Sequence, residues 1–372
     1  MQYPQSCLRV GNGIISKIHQ EKLDKLGVRL AAVVDTNSTR CREAICQGYR
    51  VLTDLREASY LEFDFWDICV STSNHFHVME QILSLDPKAK ILVEKPICYS
   101  NEISILLDLL TDKQDQIVIN ETYCSSQVVH KVAQLICELQ FTPERIVVEM
   151  SKNRVVDVKQ GRFLDLNLGA LGYEGSHLLT VVAQLGQEYL PREVLEVRWE
   201  SMPVPSKGGI QFLDRQGGVE VKYCSWSGVP VELYSSMIGK IKHRYFPFEN
   251  STNNRYRAIA VEGYIPNGDK LTIVGFFEPV EQLNRGEGAI SLIRNGNLDL
   301  VIYPIADDHM GLHLERAVRY FRGEDQNPCS VEHGVQVVKL LNEFFHNESS
   351  SISSIRSNKE SLDVRCREMC LG

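Results

Sequence analysis

No run of apolar residues in this chain of 372 residues approaches the roughly 20 needed to cross a bilayer. No block of lysine or arginine stands out, and the formal net charge is −8. A nucleic-acid backbone and an anionic membrane surface are therefore not expected partners. The opening segment MQYPQSCLRV lacks a basic stretch followed by an apolar one, so no secretory signal is visible. The 11 cysteines are an odd number without framework spacing, and several sit in apolar runs, such as Cys69 in WDICVST and Cys137 in AQLICEL. That usage predicts reduced, buried thiols in a cytoplasmic protein rather than a disulfide scaffold. Cys366 and Cys370 in CREMC are two potential ligands with no partner pair, and ADDHMGLH (306–313) has acids and histidines without a diagnostic spacing. No metal site is expected from either, and the second reads as a solvated loop before a helix. There is no internal repeat.

What is present is an ordinary globular composition, 43% apolar and 24% charged, on a chain too long for one core. Up to about residue 121 short apolar strands alternate with helical stretches. CLRV is followed by the turn GNG and a helix with Ile14, Ile15, Ile18, Leu23 and Leu26 at apolar positions. VRLAAVVD, YRVL, DFWDICVST, AKILVE and DQIVIN read as further strands. Near-continuous apolar strands alternating with helices predict a doubly wound parallel sheet, which binds ligands beyond the carboxyl ends of its strands. Gly11, Asp35, Ser71 to His77, Glu94 to Pro96 and Asn120 all fall at such ends.

From about residue 144 the pattern changes to strands with period-two alternation. They are RIVVEMS, EVLEVRWESM, GGIQFLD, GVEVKYCSW, VELYSSMI, RAIAVEGYI, LTIVGFF and LDLVIYP. One helix, about 169–185, interrupts them. Two more, MGLHLERAVRYFRG and VEHGVQVVKLLNEFFH, close the domain. The expected class is α/β followed by α+β: residues 1–122 a dinucleotide-binding domain, 123–346 a mostly antiparallel sheet with helices on one face, and 347–372 a Ser-rich tail.

The turn VGNGIIS places Gly11, Gly13 and Ser16 in the spacing of a dinucleotide fingerprint, after a strand and opening a helix. The first glycine makes a tight turn, the second lets backbone N–H groups approach a pyrophosphate, and Ser16 is small enough for close packing. Asn12, Ile14 and Ile15 complete that turn. Asp35 ends the second strand, where a carboxylate accepts hydrogen bonds from ribose hydroxyls and repels a 2′-phosphate, favouring NAD. Ser38 and Arg40 leave NADP open.

In LVEKPICYS an acid, a base and a proline follow an apolar strand. A strand-end lysine is ordinarily solvated. Alternatively, Lys95 holds an ammonium against a ligand, with Glu94 orienting it or meeting a ribose, and Pro96 restricting the backbone. His177 reads either as a satisfied core histidine or as a proton carrier, since free imidazole titrates at about 6.5.

Four motifs fall in one order: VGNGIISKIHQEKL, VSTSNHFHVMEQIL, ILVEKPICYS and LGALGYEGSHLLTVVAQLG. Together they resemble the glucose-fructose oxidoreductase / inositol dehydrogenase family (Gfo/Idh/MocA), over nearly the whole chain. The resemblance implies a Rossmann domain, then a domain with a large open antiparallel sheet. It implies an NAD(P)-dependent oxidoreductase acting on a hydroxyl or carbonyl carbon of a sugar, amino sugar or cyclitol, and a homodimer or homotetramer. It matches Lys95, Pro96 and His177 to the family's lysine, proline and catalytic histidine, puts Ser71, Thr72 and Asn74 near the cofactor, and Asn120 near the cleft. His77, which otherwise reads as a helix-surface residue, joins the cofactor set. Tyr123, Arg162 and Asp165 are candidate substrate contacts. Two departures stand out. Tyr173 occupies the place of the family's usual Asp, beside Glu174, and Thr180 replaces a second Asp. Tyr173 is either an added proton donor or an aromatic wall, and Glu174, one position off, points about 100° away on a helix. The departures leave room for an imine or ketone reductase of a specialised pathway, or for a dinucleotide-binding regulator without catalysis.

Overall fold

The computed structural model describes residues 5–160, 164–206, 209–249, 255–277 and 283–347. Arg162, the cysteines at 366 and 370, and the tail from 348 onward lie outside the described residues.

The first half alternates β1 (Ser6–Val10), α1 (Ile14–Lys25), β2 (Arg29–Val34), α2 (Ser38–Cys46), β3 (Val51–Leu52), β4 (Phe65–Ile68), α3 (His75–Leu85), β5 (Ile91–Glu94), α4 (Ile103–Leu109) and β6 (Ile117–Asn120). All its pairings are parallel, in the order β3-β2-β1-β4-β5-β6. β1, β4 and β6 are buried along their whole length, so they read as mostly apolar, with Arg9, Asp67 and Asn120 as buried polar exceptions. Asn37 starts α2 by accepting hydrogen bonds from the Thr39 and Arg40 N–H groups. Asn74 precedes α3 without capping it and donates instead to Ser71 Oγ. The sheet's order reverses between β1 and β4, which sets a crevice beyond their carboxyl ends.

The second half runs α5 (Gln127–Glu138), β7 (Thr142–Lys152), α6 (Val155–Lys159), α7 (Leu171–Leu185), β8 (Pro191–Ser206), β9 (Gly209–Ser225), β10 (Pro230–Ser236), β11 (Arg255–Tyr264), β12 (Lys270–Phe277), β13 (Glu287–Arg294), β14 (Asn297–Ala306), α8 (His309–Phe321) and α9 (Val331–His346). Its eight strands order as β14-β13-β12-β11-β7-β10-β9-β8 and pair antiparallel except for β7 with β10. α5 and α7 cover one face through Val128, Val132, Leu178 and Val182, packed with Ile259 and Ile273. Burying each such side chain contributes about 1.5–3 kcal/mol. The other face is partly covered by the chain's own Phe248, Ile241 and Tyr245 against Tyr256 and Phe276. β14 leaves Leu298, Leu300 and Tyr303 exposed.

The structure departs from the sequence reading at several points. GGIQFLD and GVEVKYCSW are one strand, β9, and its pairing with β8 shifts register between Glu200 and Met202. β13 was not anticipated. α8 and α9 pack on the first domain's sheet as well as closing the second, with Leu314, Val318 and Phe321 against Leu92 and Val118, and Val331 and Val335 against Ile97 and Ile119. Cys69 is buried as its run predicts, but Cys137 is exposed on α5. Among the described residues no helix is long and apolar enough to cross a membrane.

Candidate active site

The turn after β1 is built by constraint. Gly11 has φ +95°, and its N–H donates to Val34 O at 2.8 Å. A Cβ there would lie 2.9 Å from Cys69 O, so only glycine lets β1 and β4 close on each other. Gly13 precedes α1, and a Cβ on it would meet nothing within 4 Å. No side chain caps α1 and its first turn has no acid, so its N-terminal N–H groups face the cleft without a protein anion. These features fit a pyrophosphate. Ser16 is buried and donates to Gly13 O at 2.6 Å. Asp35 Oδ2 accepts from Asn12 N, and Oδ1 from Asn37 N, each at 2.8 Å. Its carboxylate is thereby held at the end of β2 with the Arg40 guanidinium 3.9 Å away.

An open cleft of about 1900 Å³ runs from this turn to α7. Gly11, Gly13, Ile14, Ile15, Asp35, Arg40, Ser71, Thr72, Asn74, His77, Glu94 and Lys95 line it from the first domain. Asn12 and Pro96 stand behind the wall, both buried, Asn12 as a turn residue and Pro96 with its carbonyl 2.9 Å from His75 Nδ1. His77 lies at the rim and is hydrogen-bonded to Gln81.

Below the cleft floor is a buried polar chain. His19, fully buried, bridges Asp67 Oδ1 and Glu94 Oε1, each at 2.8 Å, and Arg9 Nε reaches Asp67 Oδ2 at 2.8 Å. Burial by itself pushes the His19 pKa down, but neighbouring Cys69 and Asp67 outweigh it and hold it well above the usual value. Burial would raise Asp67, and His19 and Arg9 hold it well below the carboxylate range. Asn120 Nδ2 donates to Glu94 Oε1, while Asn120 Oδ1 is buried without a partner. Glu94 is thus fixed from below, and an unused acceptor stands beside it.

Across the cleft, α7 presents the second group of residues. Lys95 Nζ donates to the Tyr173 carbonyl at 2.6 Å. His177, one turn further on, has Nδ1 against Glu121 Oε1. Burial would raise the Glu121 carboxyl, but His177 and then Lys95 bring it down to about 2, so it is ionised at any working pH. Nδ1 of His177 therefore carries the proton and donates it to the carboxylate, which leaves Nε2 as the basic atom. The Tyr173 hydroxyl oxygen accepts from Asp165 N–H at 3.3 Å. Asp165 Oδ1 accepts from Asn167 N and Leu168 N, and a Cβ on Gly172 would overlap Asp165 Oδ2, so the loop lies directly on the start of α7. Glu174 turns away, as its helical position predicts, and is buried between Arg257 Nη2 (2.8 Å to both oxygens) and Arg154 Nη2 (3.1 Å). Tyr123 is fully buried behind the wall, stacked on His309 at 4.6 Å, with His177 at 5.0 Å. Its hydroxyl accepts from Arg257 Nη1 at 3.1 Å.

The structure therefore brings Lys95 and Asn120 from the first domain and Asp165, Tyr173, Glu174 and His177 from the second to one cleft, and sets Tyr123 behind its wall. Sequence reasoning missed Glu121, although it directly follows Asn120. It also misread ADDHMGLH. Asp307, His309 and His313 are buried, and Asp307 and His309 line the cleft. Burial, then Arg257 and His177, lower His309 to about 3.

A parallel sheet with this strand order and a glycine turn opening onto a helix N-terminus form a dinucleotide-binding fold, and an oriented histidine stands across the cleft. Residues 6–121 match the Gfo/Idh/MocA oxidoreductase family with an NAD-binding Rossmann fold. No curated protein sequence matches the chain. Solved structures match over both domains. UDP-N-acetylglucosamine 3-dehydrogenase GnnA from Acidithiobacillus ferrooxidans is 16% identical, covering 92% of this chain and 99% of that one, with a TM-score of 0.65. The WlbA dehydrogenase from Bordetella pertussis, in complex with NADH and UDP-GlcNAcA, is 14% identical over 92% and 95%, with a TM-score of 0.65. A myo-inositol dehydrogenase from Corynebacterium glutamicum is 13% identical over 92% and 96%, with a TM-score of 0.63.

Proposed function

We propose that the protein moves a hydride between a nicotinamide cofactor and a hydroxyl or carbonyl carbon of a sugar, amino sugar or cyclitol. The observation that carries this reading is His177 on the wall of the cleft that also holds the glycine turn, with the buried Glu121 carboxylate on its Nδ1. NAD(P), when bound, supplies the hydride acceptor or donor. In the oxidation direction His177 Nε2 takes the hydroxyl proton, and the imidazolium that forms is stabilised by the Glu121 carboxylate. The Lys95 ammonium stabilises negative charge on the same oxygen, and its bond to the Tyr173 carbonyl keeps it aimed across the cleft. Asn120 and Asp165 contact substrate or cofactor edges. Tyr173 serves as a wall, since its hydroxyl is turned to the 165 loop. Asp35 favours NAD over NADP, because its fixed carboxylate faces the place of the ribose hydroxyls and repels a 2′-phosphate. The sugar-derivative and inositol dehydrogenases among the similar structures support the substrate class. The exposed apolar residues of β14 are the surface on which a homodimer or homotetramer would form.

The test is a fluorescence titration with NADH and NADPH, followed by a screen of polyol, cyclitol and amino-sugar oxidation with Lys95→Ala and His177→Ala as controls. Tight NADH binding and turnover that both substitutions abolish are expected. Binding of neither cofactor overturns the proposal, and binding without turnover of any substrate favours the regulatory reading.

A further inference from the structure

Away from the cleft, three side chains from distant parts of the chain converge. Cys124 lies in the short helical turn Thr122–Ser125 after β6. Cys329 lies just before Ser330, which caps α9, and its carbonyl accepts from Ile119 N at 3.1 Å, which pins it to the edge of β6. His333 is in the first turn of α9. One ligand atom of each, two sulfurs and a ring nitrogen, lies within 4.8 Å of the others. Both cysteines are 3% exposed.

Tetrahedral zinc, with Zn–S of about 2.3 Å and Zn–N of about 2.0 Å, sets its donors roughly 3.5–3.8 Å apart, within the span seen here. Two thiolates cancel the charge of the dication, so the complex enters the interior without net charge. The surroundings carry the groups that orient metal ligands. His333 Nε2 meets Thr180 Oγ1 at 2.9 Å, and Gln184 Nε2 donates to Cys124 Sγ at 3.8 Å. The other such cluster among the described residues, His19 with Asp67 and Cys69, is different. Arg9 already supplies its cation at 2.8 Å from Asp67.

We propose that Cys124, Cys329 and His333 form a zinc site. Binding releases the two thiol protons to solvent and ties the turn after β6 to α9. Thr180 extends the tie to α7. Glu121 lies three residues before Cys124, and His177 three before Thr180, so the metal braces both members of the catalytic pair from behind without touching substrate.

The experiment uses the full chain purified in the presence of reductant and without chelator or a nickel column, with metal content measured by plasma mass spectrometry. The expected result is about one zinc per chain, lost in Cys329→Ser and retained in Cys46→Ser, an exposed thiol elsewhere. Replacement by cobalt should give a thiolate charge-transfer band and tetrahedral visible bands. Thr180→Val, which removes only the hydroxyl partner of His333, should fold and weaken metal affinity about 10–100-fold. If Cys329→Ser does not fold, the metal content and cobalt spectrum of the wild type still decide. Wild-type protein without zinc, and without a melting shift on adding it, overturns the proposal. So does a Cys124–Cys329 disulfide found by mass spectrometry in protein purified without reductant.

Discussion

Replacing Glu121 with Gln changes one charge and almost no volume, on a residue that is 3% exposed and whose Oε1 meets His177 Nδ1. The bond lost is one between a carboxylate and a ring that becomes cationic during turnover. Charge-assisted bonds of this kind contribute about 1.5–3 kcal/mol. If that stabilisation belongs to the protonated histidine formed in the transition state, kcat falls about 10- to 150-fold. The glycine turn and Asp35 are untouched, so the NADH dissociation constant stays the same. The amide also presents its NH₂ to Nδ1 in one of its two orientations. That orientation places the ring proton on Nε2, where it cannot act as base. Steady-state oxidation of the substrate identified by the screen should be measured for wild type, Glu121→Gln, His177→Ala and the double variant. Because Glu121 acts only through His177, the double variant should be no slower than His177→Ala alone. A Glu121→Gln enzyme within twofold of wild type, or additive effects in the double variant, would refute the assignment.

Two further outcomes follow from the geometry. Gly13→Ala should fold with a stability change within about 1 kcal/mol, because φ is −86° and a Cβ meets nothing within 4 Å. It should nevertheless weaken NADH binding by about tenfold or more, since the methyl occupies the pyrophosphate's approach; unchanged binding in a fluorescence titration would place the cofactor elsewhere. Asp307 is raised to about 6, chiefly by burial. A carboxyl held above its unfolded value of about 3.9 contributes stability that is complete below that value and is lost as pH rises through about 6. Asp307→Asn has no such dependence. Its stability relative to wild type should rise between about pH 4 and pH 7, by at most about 3 kcal/mol. Denaturant titrations across that range check it, and a pH-independent difference would contradict it.

The first domain was legible because its signals are local. Buried parallel strands read as apolar runs, and the glycine turn, Asp35 and the Lys95 triplet sit at strand ends that sequence alone identifies. β13 escaped because Gly288, Ala289 and Ser291 dilute its alternation. Asp-Arg-Gln-Gly-Gly at 214–218 read as a break, but β9 absorbs it with Arg215 at φ +55° and a register shift. In the candidate site, motif order pointed to Lys95 and His177, and both line the cleft. Glu121 was not legible, since a charge after a strand ordinarily marks its exit to solvent. Tyr123 was expected in the cleft and lies behind it, because its ring fills the space between His177 and His309. Nothing near position 124 in the sequence points to Cys329 or His333, and Arg257 reveals itself as the partner of Glu174 only when β11 is laid under α7.

The two threads between Lys95 and Tyr173, and between Glu121 and His177, both end on the first two turns of α7. Each starts from the end of a strand in the other domain. Any hinge opening that widens the gap between β5 and α7 must break the first, and one that draws α7 from β6 must break the second. Letting go of a spent dinucleotide by such a motion would disarm the proton relay in the same movement. On the proposed function, proton transfer would then be confined to the interval in which the halves are shut.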